Sequence, residues 1–345
     1  MYEISLIFVP IKDYLEFVFE QKFKNMNKKY LVALLAAGVF LTVSCKGHSQ
    51  KNETVSAPQT QQPVQSPDKK KKFEYVRMPD SLTTQQQRIE FITEHFWDNY
   101  DFADTTLLSI PDVSEQGFAD FVHIISQLDS AHANRSVRIF LERAAVDSAS
   151  RDHFFALTEK YLYDPNSPFR NEELYQTAID VYTSLPQVPE HLKIRPKTQL
   201  KNILKNQVGS RAANIRYETA DGRSGSLNAI KTPYVLVYFN NPGCEHCHQT
   251  TEHMRRSLVL EKALDERQIT VLSVYPDEDL ALWREHVKDF PETWIVGYDK
   301  PQDINEKQTY DLRAIPSLYL LDKNKNVLLK DATYDVVENY LQNLK

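Results

Sequence analysis

Two rhythms of apolar residues divide the folded part of this chain, with the change near Gly209. From Phe73 to Gln207 the apolar positions recur every three or four residues. Phe118, Phe121, Val122, Ile125 and Leu128 make one such stripe, and Val137, Phe140, Leu141 and Ala144 another. The segment therefore predicts five or six helices, parted by turn and helix-start sequences at Pro111–Glu115 and Asp164–Pro168. Phe91, Phe96, Trp97, Tyr100, Phe154, Phe155, Tyr161 and Tyr175 fall on the same spacing, which favours a core over a peptide-binding groove.

Beyond Gly209 the pattern shortens. Ile215–Thr219 and the residues after Gly225 flank Asp221-Gly222, a hairpin turn. Tyr234–Phe239 and Ile269–Tyr275 read as buried strands, with a helix between them whose inner face includes Met254 and Leu258. A helix over Glu278–Val287 follows. Thr293–Tyr298, Ser317–Leu321 and Val327–Leu329 are further strands, and Tyr334–Leu344 a closing helix. Such alternation predicts a sheet with helices on its faces, so the fold class is a helical N-terminal domain, 73–207, followed by an α/β domain, 208–345.

Ahead of both lies a different kind of sequence. Lys46–Lys72 is rich in Gln, Ser, Pro and Lys and reads as a disordered tether with a span of about 30 Å. Residues 26–45 combine a basic start at Met26-Asn27-Lys28-Lys29 with the apolar run Leu31–Val43, an export signal too short to span a bilayer comfortably. Residues 1–25 carry mixed charges that suit no such signal, so Met26 is the expected start. Leu41-Thr42-Val43-Ser44-Cys45 resembles the lipobox of bacterial lipoproteins, with Leu one place further from the cysteine than is usual. The resemblance implies lipidation of Cys45 and a membrane anchor in the envelope of a Gram-negative bacterium. Lys46, in place of an inner-membrane retention aspartate, favours the outer membrane, with the protein facing the periplasm.

Across all 345 residues the formal charge is −6, which gives no electrostatic reason to expect nucleic acid. Three cysteines cannot make a disulfide framework. With Cys45 assigned to the leader, Cys244 and Cys247 remain, in the order Gly243-Cys244-Glu245-His246-Cys247 after the first buried strand. Two intervening residues suit one turn of helix. Cys244 would sit at a helix N-terminus, where free amides and the macrodipole favour a thiolate, and Cys247 one turn in, able to attack a mixed disulfide on its neighbour. His95, His123, His132 and His153 lack ligand spacing, so no metal site is expected in the helical part.

This motif, Ile315-Pro316-Ser317 opening a later strand, and the strand-helix unit Ile269–Val287 between them resemble the thioredoxin fold of TlpA/ResA-type envelope thiol-disulfide oxidoreductases. The helical segment resembles a domain of unknown function that accompanies such folds in envelope lipoproteins. The resemblance implies a redox-active pair, Cys244 and Cys247, that exchanges with protein thiols and disulfides. Pro316, cis in that family, and Ile315 before it would orient the substrate chain. His246 stands where oxidising and isomerising members carry histidine and would tune the couple towards oxidation, with Glu245 opposing it. No cofactor is implied, because the disulfide itself carries two electrons; a redox donor or acceptor is. There are departures as well. Tyr238 and Thr250 occupy places where relatives keep carboxylates, and Gly243 replaces a tryptophan. Val237 and Asn241 stand where a peroxidatic cysteine would need Pro and Thr or Ser. Two other readings stay open. Cys244–His248 also fits the C-x-x-C-H haem-attachment pattern or a site for metal on Cys244, Cys247, His246 and His248, and the helical domain could act as a lipid-anchored binding module or scaffold.

Overall fold

The computed structural model describes residues 71–344; the leader, Cys45 and most of the tether lie outside them. The described residues form two compact units that divide between His153 and Phe154.

The first unit is helical. Thr84 caps α1 (Gln85–His95) with a reciprocal pair of hydrogen bonds to Gln87, and Asp129 caps α3 (Ser130–Ala144) by accepting two backbone amides; α2 (Ser114–Ile125) lies between. The stripes read from the sequence face inward: Phe118, Phe121, Val122, Ile125, Val137, Phe140, Leu141 and Ala144 are all buried. Trp97 stacks on Phe140 at 4.7 Å and Phe73 on Phe96 at 5.4 Å; Phe96, Trp97 and Tyr100 are core, while Phe91 is only partly buried. Gly117 is small for a reason, since a Cβ there would stand 2.3 Å from the Phe73 ring. The boundary of the unit falls inside α4 (Ser148–Thr158).

The second unit opens with the end of α4, carries α5 (Glu172–Ser184) and α6 (Glu190–Ile203), and continues into a seven-stranded sheet. Its strands are β1 (Arg216–Thr219), β2 (Ser224–Ser226), β3 (Tyr234–Phe239), β4 (Ile269–Tyr275), β5 (Ile295–Asp299), β6 (Ser317–Leu321) and β7 (Val327–Ala332). They lie in the order β2-β1-β5-β4-β3-β6-β7, with β3, β4 and β5 parallel and the others antiparallel to their neighbours. The sheet is mixed, as the resemblance to the thioredoxin fold implies. The unbroken apolar runs follow from burial on both faces. Val235, Val237 and Phe239 of β3 enter one core with Val274, Tyr319 and Leu321, while Leu236 and Tyr238 enter another with Met254, Leu260, Val337 and Leu341.

Helices α7 (Glu245–Arg256), α8 (Leu258–Asp265), α9 (Leu280–His286), α10 (Asp303–Glu306) and α11 (Tyr334–Gln342) complete the unit. One expectation is corrected here. Met254 and Leu258 do not share an inner face, because Ser257 breaks the helix: its Oγ caps α8 by accepting the Leu260 amide at 3.1 Å. Met254 is buried and Leu258 is 77% exposed.

The change of pattern near Gly209 and the division of the units at 153/154 are different boundaries. The reason is a set of long-range polar contacts. Lys330 on β7 donates to the Ile203 carbonyl and pairs with Glu172, each at 2.7 Å, and the Asn206 amide donates to the Thr309 carbonyl at 2.9 Å. Helices α5 and α6 thereby belong to the sheet's unit.

Candidate active site

The sheet register decides what meets what. β3 and β6 are antiparallel, with Phe239 opposite Ser317, so the end of the first lies beside the start of the second. The chain leaving β3 thus passes the chain entering β6. The Ile315–Pro316 bond at that entry is cis.

After Phe239 the backbone turns through Asn240 to Gly243. Asn240 is buried, and its amide donates to Ser273 Oγ at 2.7 Å on the adjacent strand β4. Gly243 has φ +79°, and a Cβ there would meet nothing within 4 Å. Conformation rather than crowding calls for glycine, and a side-chain-bearing residue would be strained in this turn.

Cys244 is the N-cap of α7. Its Sγ accepts the Cys247 backbone N–H at 3.2 Å, and its thiol donates to the Ile315 carbonyl at 3.7 Å. Charge developing on this sulfur faces the unsatisfied amides of the first turn. Cys247 lies one turn inside, 4% exposed, against Cys244 at the half-buried mouth. Burial first, and the Cys244 sulfur second, push the Cys247 thiol up to about 12, with the Asn241 backbone amide acting in the opposite sense.

Behind the pair, Tyr238 occupies the place where thioredoxins keep a carboxylate. Its hydroxyl donates to the Cys247 carbonyl at 2.7 Å and lies 3.1 Å from Thr251 Oγ1. Burial holds the phenol well above its ordinary value, so it is a fixed neutral donor rather than a base. What it does is brace the first turn of α7. Sequence spacing identifies the position of Tyr238 but not this bond, nor Thr251 as its partner.

The remaining expected residues are placed less tightly. Glu245 and His246 are exposed, and the Glu245 carboxylate accepts from Gln249 at 2.8 Å one turn along α7. His248 is exposed as well. Among the described residues, no group of three or more His, Cys, Asp or Glu side chains is arranged to hold a metal ion. The site therefore brings together Cys244, Cys247 and Ile315-Pro316, and leaves Glu245 and His246 on its solvent rim.

A crystal structure of a thioredoxin-like protein from Bacteroides caccae ATCC 43185 is 41% identical to the chain, covers 80% of it and 99% of its own length, and superposes with a TM-score of 0.76. The chain belongs to this thioredoxin-like family. Within this thioredoxin-like protein, residues 233–327 match the family described as thioredoxin-like, and 45–206 match a domain of unknown function, DUF5106. The C-terminal domain of an uncharacterized protein from Bacteroides fragilis NCTC 9343 is 46% identical over 40% of the chain and 99% of its own, with a TM-score of 0.40. A thiol:disulfide interchange protein from Bacteroides sp. is 25% identical over 40% of the chain and 93% of its own, with a TM-score of 0.34. No curated protein matches. Among the described residues, no helix is long and apolar enough to cross a membrane.

Proposed function

We propose that this thioredoxin-like protein is an envelope thiol-disulfide oxidoreductase of the TlpA/ResA kind, acting as a reductase or isomerase on protein substrates. The observation that carries the reading is the unequal placement of the two sulfurs. Cys244 stands at the mouth of the site on the N-terminus of α7, and Cys247 is buried one turn behind it with its proton held. That is the division of labour the exchange needs.

In the reducing direction the Cys244 thiolate attacks one sulfur of a substrate disulfide. The Cys244–substrate bond forms, the substrate S–S bond breaks, and the departing thiolate takes a proton. Cys247 then loses its proton and attacks Cys244 Sγ, which closes the Cys244–Cys247 disulfide and releases the second substrate thiol. Two electrons pass from the pair to the substrate, and an external donor must return them; the oxidising direction is the same sequence reversed. The Ile315 backbone, whose carbonyl accepts the Cys244 thiol in the resting protein, lies where an extended substrate chain would pair with it.

The deciding test is the reduction potential of the pair, measured on the full-length protein in thiol buffers by the mass of the alkylated peptide that carries both cysteines. A value of about −270 mV or below assigns a reductase, and one of about −120 to −180 mV assigns oxidation or shuffling. The absence of any two-electron couple sinks the oxidoreductase reading and leaves the binding-module reading in its place.

The envelope location rests on the leader sequence, in which the apolar run ends at Cys45. Cells fed labelled palmitate are expected to label the protein, and a Cys45→Ala variant is expected to stay unlabelled. Equal labelling of the two would refute the anchor.

A further inference from the structure

The segment Asp311–Ser317, which delivers Ile315 and Pro316 to Cys244, is gripped on both sides by residues that come from the helical stretch before the sheet. On the upstream side stands Arg313, two residues before Ile315. One guanidinium nitrogen donates to the Tyr163 carbonyl and another pairs with Glu172, while the guanidinium lies 3.9 Å over the Tyr163 ring. Its third nitrogen is 2.9 Å from Asp311. The other oxygen of Glu172 holds Lys330 of β7 at 2.7 Å.

On the downstream side stands Ser317, immediately after Pro316. Its hydroxyl donates to Asp331 Oδ1 at 2.7 Å, and the other Asp331 oxygen pairs with Arg170 at 2.6 Å. Arg170 also donates to the Asp331 backbone carbonyl. Two separate anchors, Glu172 with Tyr163 and Arg170 through Asp331, therefore hold the chain at positions 313 and 317, with Ile315 between them. These charges are mostly removed from water, with side-chain exposures of 14% for Arg313, 20% for Glu172, 8% for Lys330 and 13% for Asp331. Pairs so placed fix geometry more strongly than surface pairs, and loss of one partner leaves the other uncompensated.

We infer that Arg313 and Asp331 are positioning residues for substrate recognition: with Glu172 and Arg170 they hold the Ile315 backbone where an extended protein chain pairs with it. The helical stretch thereby serves the site. The inference rests on the oxidoreductase reading and adds to it a reason for α5 and α6 to belong to the sheet's unit.

The test compares a large and a small substrate on the full-length protein, in whichever direction the pair's potential drives exchange. Insulin supplies a peptide disulfide or dithiol, and cystamine or cysteamine a small one that needs no backbone pairing. Arg313→Gln is expected to raise the half-saturating insulin concentration about tenfold, because a misplaced contact weakens binding of the chain. The maximal rate and the cystamine rate constant should stay within twofold. Asp331→Asn acts from the other side and should do the same, with Arg313→Lys intermediate. If Arg313→Gln fails to fold, as judged by circular dichroism, Asp331→Asn decides. Equal loss with insulin and cystamine, or no change with either, overturns the inference. Exchange of the unsubstituted protein with cystamine but not insulin overturns it while sparing the oxidoreductase reading. Exchange with neither sinks both.

Discussion

Replacing Cys247 with Ser is expected to convert the protein into a trap that accumulates mixed disulfides through Cys244. The first step needs only Cys244, at the mouth of the site with its sulfur on the N-terminus of α7. The second needs the buried sulfur one turn behind, and serine cannot attack a disulfide productively. Turnover should therefore stop with substrate still attached. Replacing Cys244 instead removes the first attack, and exchange should fall by on the order of 10³-fold or more, with no adduct on Cys247. Non-reducing electrophoresis of extracts, followed by mass spectrometry of the linked peptides, distinguishes the two. Adducts on Cys247 in the Cys244→Ser protein would reverse the assigned roles. An absence of adducts with the Cys247→Ser protein in cells would argue against a protein substrate.

What was legible in the sequence was whatever depends on local spacing. The helical stripes, the buried strand β3 and the cysteine pair at a strand-to-helix turn are all set by neighbours within a few residues. The break at Ser257 was written locally too, as a serine followed by a run of apolar residues, but the continuous stripe through Met254 and Leu258 obscured it. The anchors of the Ile315-Pro316 segment could not be read. Arg313 meets Glu172 across 141 positions and Arg170 meets Asp331 across 161, and no periodicity connects residues so far apart. The same contacts account for the membership of α5 and α6 in the second unit, while the apolar rhythm changes only near Gly209. Tyr238 illustrates a third case. Its position was apparent as a missing carboxylate, yet only the packing of α7 on β3 reveals a hydroxyl that braces the Cys247 carbonyl.

The reduced protein is expected to lose stability in alkali, and Cys247 to account for a separable part of the loss. Its thiol is pushed from an ordinary value near 9 up to about 12, chiefly by burial. The folded protein thus holds this proton more tightly than the unfolded chain does. The sign follows: the stabilisation is whole below about pH 9, where both states are protonated, and drains away as pH rises towards 12 and the unfolded chain alone ionises. At about 1.4 kcal/mol per unit, the loss over that window is on the order of a few kcal/mol. Tyr175, Tyr238, Tyr310 and Tyr319 are raised by burial as well and add their own alkaline loss. Tyr175, Tyr310 and Tyr319 are common to the parent and to Cys247→Ser, so the difference between the two reports the Cys247 thiol together with its influence on Tyr238 and Cys244. Urea unfolding of both proteins under reducing conditions, from pH 8 to 11, should show the parent losing stability faster. Parallel curves would mean that Cys247 ionises as readily folded as unfolded. A steeper parent curve would instead show that the resolving step begins from a thiol whose proton the fold holds tightly.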